Sequence, residues 1–303
     1  MQKTLVVITG PTGIGKTKTG IEIARHFKTE IISADSRQIF KELRIGTAVP
    51  SIFELNTITH HFIQTHSITE SYNASRYEAE ALSVLNRLFQ NYNPVLMVGG
   101  SMLYIDAVCK GIDIMPDADL EIREELKNRL KTEGLESLRL QLKKLDPDYY
   151  SQVDLKNPIR IIHALEICIM TGKPYSSFRK NQKKTRPFKI IKIGLDCNRN
   201  VLHAKINQRV DQMINDGLVE EVKSVYHLKY LNSLNTVGYR ELFNYFDGYI
   251  PKEKAIELIK RNTRHYARKQ LTWFRNNPEM NWFQPEETEK IIDFIERKIS
   301  NDG

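Results

Sequence analysis

Three short apolar runs, Leu5-Val6-Val7-Ile8, Ile31-Ile32-Ser33-Ala34 and Val95-Leu96-Met97-Val98, punctuate the first hundred residues, each ending in a glycine-rich or polar turn. Between them the apolar period changes from continuous to helical: Ile21, Ala24 and Phe27 share one face, and Tyr77, Ala81, Val84, Leu85 and Leu88 share another within residues 73–90. Strand alternating with helix predicts an α/β fold with a parallel sheet flanked by helices. Residues 45–71 break the rhythm with Gly46, Pro50, His60, His61 and His66, and are expected to be an irregular excursion on the substrate side. The three histidines lack supporting metal ligands, so solvated or locally hydrogen-bonded rings are expected. From about Asp117 to Gly172 the alternation stops, and residues 119–130, 135–145 and 158–170 all have helical patterns. Strand character returns at Phe188–Leu195, followed by helices over about 200–216, 218–228 and 252–274. The expected organisation is a core of residues 1–114 and 187–303, interrupted by a helical insertion over 115–186.

The turn after the first run is Gly10-Pro11-Thr12-Gly13-Ile14-Gly15-Lys16-Thr17, a complete Gly-x-x-x-x-Gly-Lys-Thr phosphate loop in strand-to-helix context. Glycines at 10, 13 and 15 let backbone N–H groups turn inward at a helix N-terminus, where the macrodipole favours an anion. Lys16 can then reach phosphate oxygens, and the Thr17 hydroxyl can hold Mg²⁺. A di- or triphosphate ligand and a P-loop NTPase-like sheet are therefore expected. The second run delivers Asp35 to the same carboxyl edge, as a base, a metal partner or a helix cap. The third ends in Gly99-Gly100-Ser101, where the glycines allow close backbone approach to a ligand or make a plain turn; Tyr104 is expected to pack.

With 303 residues, 41% hydrophobic and 27% charged, the chain has enough apolar material for a buried core, and no run approaches the ~20 residues of a membrane helix. The N-terminus enters a strand without a signal-peptide pattern, so a cytoplasmic protein with no membrane partner is expected. Cys109, Cys168 and Cys197 are too scattered for a zinc site or disulfide framework and are expected to be buried thiols. The net charge of +8 acquires meaning from its placement. Residues 173–195 hold eight Lys or Arg and no acid, with Tyr175 and Phe178 interleaved, and Arg261, Arg264, Arg268 and Arg275 share a helical face near Lys260, His265 and Lys269. Both patterns suit a phosphate backbone.

Taken together, several phrases resemble the tRNA dimethylallyltransferases. They are the phosphate loop, Asp35-Ser36-Arg37-Gln38-Ile39-Phe40, Ile45-Gly46-Thr47-Ala48-Val49-Pro50, Gly99 to Tyr104, Arg160 to Glu166, Arg209-Val210-Asp211-Gln212-Met213, Val237-Gly238-Tyr239-Arg240, and Thr263-Arg264 through Arg275. The resemblance implies transfer of a dimethylallyl group from dimethylallyl diphosphate to N6 of the adenosine 3′ of the anticodon. The implied partners are Mg²⁺ and a tRNA anticodon stem-loop, and the chain is expected to act as a monomer.

By the same resemblance Asp35 takes or orients the amine proton, Thr17 with Mg²⁺ and Lys16 hold the diphosphate, and Arg209 neutralises it as it leaves. The tRNA side would be lined by Asp35, Ser36, Arg37, Gln38, Ser101, Arg123, Ile159, Arg160, Ile161, Ile162, His163, Asn235, Thr236, Val237, Gly238, Tyr239, Arg240, Arg264, Arg268, Lys269, Gln270, Leu271, Thr272, Trp273, Phe274 and Arg275. The sequence departs from the family pattern at Ile14, Phe40, His163, Lys205 and the order Arg268-Lys269. A neutral imidazole at 163 cannot imitate the guanidinium usual there. An enzyme prenylating free adenine nucleotides shares the core phrases and is the alternative, although it has little use for the two basic segments.

Overall fold

A computed structural model of the chain describes residues 2–113, 115–116, 119–180 and 184–300. Asp117, at the expected start of the insertion, and Lys183, in the basic tail, lie outside the described residues. The chain divides into two compact units, Met1–Lys110 with Thr185–Gly303, and Gly111–Lys184.

The larger unit is built on a six-stranded, all-parallel sheet. Its strands are β1 (Thr4–Thr9), β2 (Ile31–Ala34), β3 (His60–His61), β4 (Val95–Gly99), β5 (Lys189–Leu195) and β6 (Met280–Phe283), in the order β3-β2-β4-β1-β5-β6. The central β1 is buried along its whole length, which is why its sequence is a continuous apolar run rather than an alternating one. Helices α1 (Lys16–His26), α2 (Ile52–Thr57), α3 (Ala74–Leu88) and α4 (Met102–Lys110) belong to the first half of this unit. Ile21, Ile23 and Ala24 of α1 join Val6, Ile8, Leu96, Val98, Ile191 and Ile193 of the sheet in one core. Truncating a fully buried member such as Ile193 to alanine costs about 2–5 kcal/mol.

The smaller unit contains α5 (Leu120–Thr132), α6 (Gly134–Leu145), α7 (Pro147–Tyr150) and α8 (Pro158–Thr171). They enclose their own core, including Leu126, Leu138, Leu142, Ile161, Leu165 and Ile167. Asp146, fully buried, caps α7 through the Tyr149 amide at 2.9 Å and accepts from the Ser176 amide and hydroxyl at 2.6 and 2.8 Å. Its charge is thereby met by three donors, as a buried carboxylate requires.

The larger unit continues through α9 (Arg199–Asn215), α10 (Leu218–Ser224), α11 (Tyr239–Phe246), α12 (Lys252–Arg275) and α13 (Thr288–Ser300). Neither α11, α13 nor β6 stands out in the apolar pattern. All four residues of β6 are only half-buried, as an edge strand permits, so no continuous apolar run marks it. The excursion at 45–71 contains α2 and the two-residue β3. His60 and His66 are hydrogen-bonded locally, to the Ile58 carbonyl and the Thr65 hydroxyl, whereas His61 pairs with Glu30 beside β2, 31 positions away. Tyr104 is buried and stacks on Tyr77 with ring centroids 4.3 Å apart. Cys109 and Cys168 are buried; Cys197, just past β5, is only half-buried. Among the described residues no helix is long and apolar enough to cross a membrane.

The basic tail is less uniform than its composition suggests. Arg186 is buried, donating to the Ala107 and Val108 carbonyls and to Glu78, and Lys192 is buried against Glu279. Tyr175 is buried in the helical unit and Phe178 packs on its core, so these rings anchor the segment rather than offer stacking platforms. Lys173 and Lys180 remain exposed.

Candidate active site

The phosphate loop runs from the end of β1 into α1. Gly10, Gly13 and Gly15 have φ of 152°, 82° and 110°, backbone that side chains rarely adopt and that turns the loop around a concavity. The first-turn N–H groups of α1 have no intrahelical acceptors, and Gly15 at the N-cap supplies no side chain to satisfy them. Ile14 points away into the core beneath the sheet, 1% exposed, so its departure from the family pattern alters packing under the loop rather than the phosphate-facing surface. Lys16 bends back over the loop, its Nζ 3.0 Å from the Gly10 carbonyl and 2.9 Å from that of Pro11. Two ammonium protons are thus used, and one is left. Enclosure, and next the charge of Arg209, lower the Lys16 pKa to about 8, with Asp35 opposing. Among the described residues the Thr17 hydroxyl makes no hydrogen bond.

Two cavities meet at this loop. The larger, about 980 Å³, is lined by Gly13, Gly15, Lys16 and Thr17, by Gln38, by the 44–51 segment and by Lys205, Gln208 and Gln212 of α9. The smaller, about 420 Å³, has apolar walls from Ile206, Val210, Leu218, Val237 and Ile259, and a polar rim from Ser36, Arg37, Asn235, Thr236, Gly238 and Arg240. Thr12, Asp35, Thr47, Arg209, Met213 and Tyr266 line both and so define the neck. Arg209 is brought there by α9, on which Ile206, Val210 and Met213 recur at helical spacing. Among the described residues its guanidinium makes no hydrogen bond or ion pair, leaving its donors for a ligand. Asp35 Oδ1 accepts the amides of Arg37 at 2.9 Å and Gln38 at 3.3 Å, so the carboxylate caps its own turn. Among the described residues Oδ2 has no partner, and the cap and the free acceptor coexist in one side chain.

Neighbouring polar groups hold this geometry. Arg37 donates to the Ser233 carbonyl at 2.9 Å, and Gln38 to the Thr47 and Ala48 carbonyls at 3.1 and 2.9 Å, so both tie loops together. Ser101 is buried, accepting the Ser36 amide at 2.8 Å. Gln270, 2% exposed, bridges the two glycine turns: its Oε1 accepts the Thr12 amide and its Nε2 donates to the Gly100 carbonyl, both at 2.8 Å. Gln270 belongs to a cavity-facing row of α12, Ile259, Thr263, Tyr266 and Gln270, at spacings of four, three and four. Tyr266 is the site residue that pattern reading missed. The arginine stripe on the same helix drew attention away from this second periodicity. Burial, with Asp35 nearby, raises its phenol pKa, so the hydroxyl stays protonated.

The arginine stripe itself divides. Arg264 donates to Asn207 of α9 at 2.6 Å, Arg275 pairs with Asp196, and Lys260 pairs with Asp211. Arg268 and Lys269 are exposed, with no ion pair among the described residues. Thr272 is exposed, half-exposed Trp273 donates to Asp106 at 3.1 Å, Leu271 packs on the sheet core and Phe274 is buried in the larger unit. Tyr239 is likewise fully buried, beneath the Asn235–Gly238 rim.

In the helical unit Arg123 grips the fully buried Glu166 through Nε and Nη2, at 3.0 and 2.7 Å. His163 lies 3.7 Å from the same carboxylate oxygen, and burial lowers its pKa, keeping it neutral at pH 7. Ile159 and Arg160 are exposed, whereas Ile161 and Ile162 face the core.

A parallel sheet carrying a phosphate loop and its lysine, opening through a neck of carboxylate and guanidinium into an apolar-walled cavity, defines a group-transferring enzyme of the P-loop class. The chain matches the IPP transferase family over residues 38–277. It is 55% identical over 297 residues to tRNA dimethylallyltransferase 1 of Bacteroides fragilis, covering 98% of this chain and 99% of that protein. It is 52% identical to the tRNA dimethylallyltransferase of Christiangramia forsetii, covering 99% and 100%. Among solved structures it resembles the full-length tRNA isopentenylpyrophosphate transferase of Bacillus halodurans, at 34% identity and a TM-score of 0.72, covering 98% and 97% of the two chains. The chain belongs to the IPP transferase family.

Proposed function

We propose that the chain transfers a dimethylallyl group from dimethylallyl diphosphate to N6 of the adenosine 3′ of the anticodon in tRNA. The observation that carries this reading is the neck, where Arg209 and Asp35 stand between the larger cavity, lined by Lys16 and the phosphate loop, and the apolar-walled smaller one. The larger cavity takes the diphosphate and the smaller the adenosine, which leaves the anticodon-loop stack to enter from the opposite side. The N6 lone pair attacks the allylic carbon as its bond to the diphosphate oxygen breaks. The bonding pair departs with the diphosphate, whose growing charge meets Lys16 and Arg209. Asp35 accepts the proton released by N6.

The absence of a His, Cys, Asp and Glu cluster among the described residues fits a Mg²⁺ held chiefly by phosphate oxygens and water, with the unengaged Thr17 hydroxyl as protein ligand. When bound, such an ion neutralises diphosphate charge.

The deciding experiment offers purified protein both tRNA and AMP, with dimethylallyl diphosphate and Mg²⁺, and identifies the prenylated nucleosides by mass spectrometry. Prenyl adenosine in tRNA is expected; product on AMP alone overturns the reading. The exposed cations are expected to supply part of the RNA footprint. Arg268→Ala should weaken RNA binding and reduce its log–log salt slope by about one. Arg275→Ala, already paired with Asp196, should do less. Equal effects in binding titrations across salt concentrations would contradict this division of the stripe.

A further inference from the structure

The wall of the smaller cavity is fastened by a carboxylate that lines neither cavity. Glu221 of α10 accepts four hydrogen bonds, with two donors on each oxygen. Its Oε2 takes the backbone amides of Arg44 at 2.9 Å and Ile45 at 2.7 Å. Its Oε1 takes the Gly46 amide at 2.8 Å and the Tyr239 hydroxyl at 2.6 Å. A carboxylate has about four lone-pair positions, and all of them are committed here.

These donors come from separate stretches of the chain: Arg44 and Ile45 line the larger cavity, whereas Gly46 lines the smaller. Gly46 and Thr47 form one stretch of its wall, and Tyr239 directly follows Asn235–Gly238, which forms another. The joint between them is tight: a Cβ on Gly46 would lie 2.6 Å from Tyr239 Cε2 and 2.9 Å from Leu218 Cδ1. The Tyr239 ring is fully buried, so it presses on the turn without reaching a ligand. Three successive amides converging on one anion make a preorganised turn, and that anion belongs to the protein itself.

We infer that Glu221 is the positioning residue of the acceptor cavity: it locks the 44–47 turn against Tyr239 and thereby sets the shape of the pocket that receives the adenine. This rests on the assignment of the smaller cavity to the acceptor. Glu221 touches neither substrate. A glutamine in its place keeps one accepting oxygen but turns an NH₂ donor toward two of the four donors, which forces the turn away from Tyr239. The phosphate loop, Lys16 and Arg209 make no bond to Glu221 and should keep their geometry.

The test compares Glu221→Gln, Tyr239→Phe and the double variant by steady-state kinetics on an anticodon stem-loop RNA, binding of inorganic diphosphate with Mg²⁺, and thermal midpoint. For Glu221→Gln the KM for RNA is expected to rise about tenfold, with diphosphate affinity within about twofold of wild type. Tyr239→Phe should raise the same KM by less. The double variant should be no worse than Glu221→Gln, because the hydroxyl acts only through the carboxylate. An unchanged KM for RNA overturns the inference, as do additive effects, or a rise in RNA KM accompanied by a joint fall of diphosphate affinity and thermal midpoint, which marks general loosening. Should the wild-type chain prenylate AMP and not RNA, the acceptor assignment fails, and the KM for AMP then tests the same clamp.

Discussion

Asp35→Asn is expected to lower turnover by about 10²-fold or more while leaving diphosphate binding and the thermal midpoint close to wild type. An asparagine oxygen can still accept the Arg37 and Gln38 amides, so the turn that presents residue 35 to the neck survives. What disappears is the carboxylate oxygen that has no partner among the described residues, on a side chain that lines both cavities. An exocyclic amine is a weak nucleophile until its proton has somewhere to go, so the loss falls on the chemical step. Asp35→Ala removes the cap as well and should additionally cost about 1 kcal/mol of stability from the released amides. Comparing kcat and thermal midpoint for the two variants separates the base from the cap. Turnover unchanged in both would remove Asp35 from the reaction.

Lys16→Ala is expected to lower kcat/KM for the diphosphate donor by about 10²–10³-fold, the scale for removing a preorganised partner of developing negative charge. The wild-type enzyme should report the same group through its pH dependence. The Lys16 pKa is lowered from 10.5 to about 8, so the ammonium is present below pH 8 and is lost as pH rises through that value. The profile of kcat/KM against donor follows the free enzyme and should fall on its alkaline side with a midpoint near pH 8. Lys16→Arg, whose charge persists above pH of about 12, should show no such alkaline limb, whatever its absolute rate. An alkaline limb unmoved by that substitution would assign the titration elsewhere. The same shift carries a stability consequence. A lysine held more acidic in the folded state disfavours folding at neutral pH, and the penalty fades as pH rises from about 8 toward the ordinary lysine value.

Much of the scaffold was legible because it obeys local rules. The buried strands β1, β2 and β4 are apolar runs, β5 is largely apolar but carries two lysines, and α1, α3, α9 and α12 carry helical periodicity through most of their length. The phosphate loop needs glycine at fixed positions, and its motif stands in the chain as a contiguous word. The roles of the residues that complete the site were not legible, because they depend on partners far away in sequence. Gln270 bridges to Thr12 across 258 positions, and Glu221 holds the turn at 44–46 from about 175 positions away. Tyr266 sits on a helix whose composition advertised only its arginines. Tyr175, Phe178 and Arg186 appeared suited to RNA contact by composition, yet each is packed or paired inside its own unit.

By itself the sequence determined the fold class, the phosphate loop, the acidic turn after β2 and the family phrases, because each depends on residues adjacent in the chain or spaced by one helical turn. Only the tertiary structure decided how those pieces meet. It placed Asp35, Arg209 and Tyr266 at a neck between two cavities, turned Ile14 into the core, and divided a uniform arginine stripe into paired and exposed members. The physical reason is that charge, burial and hydrogen-bond commitment belong to a side chain's three-dimensional neighbours, and the same Arg or Glu is a ligand-binding group or a fastening according to which of them it meets.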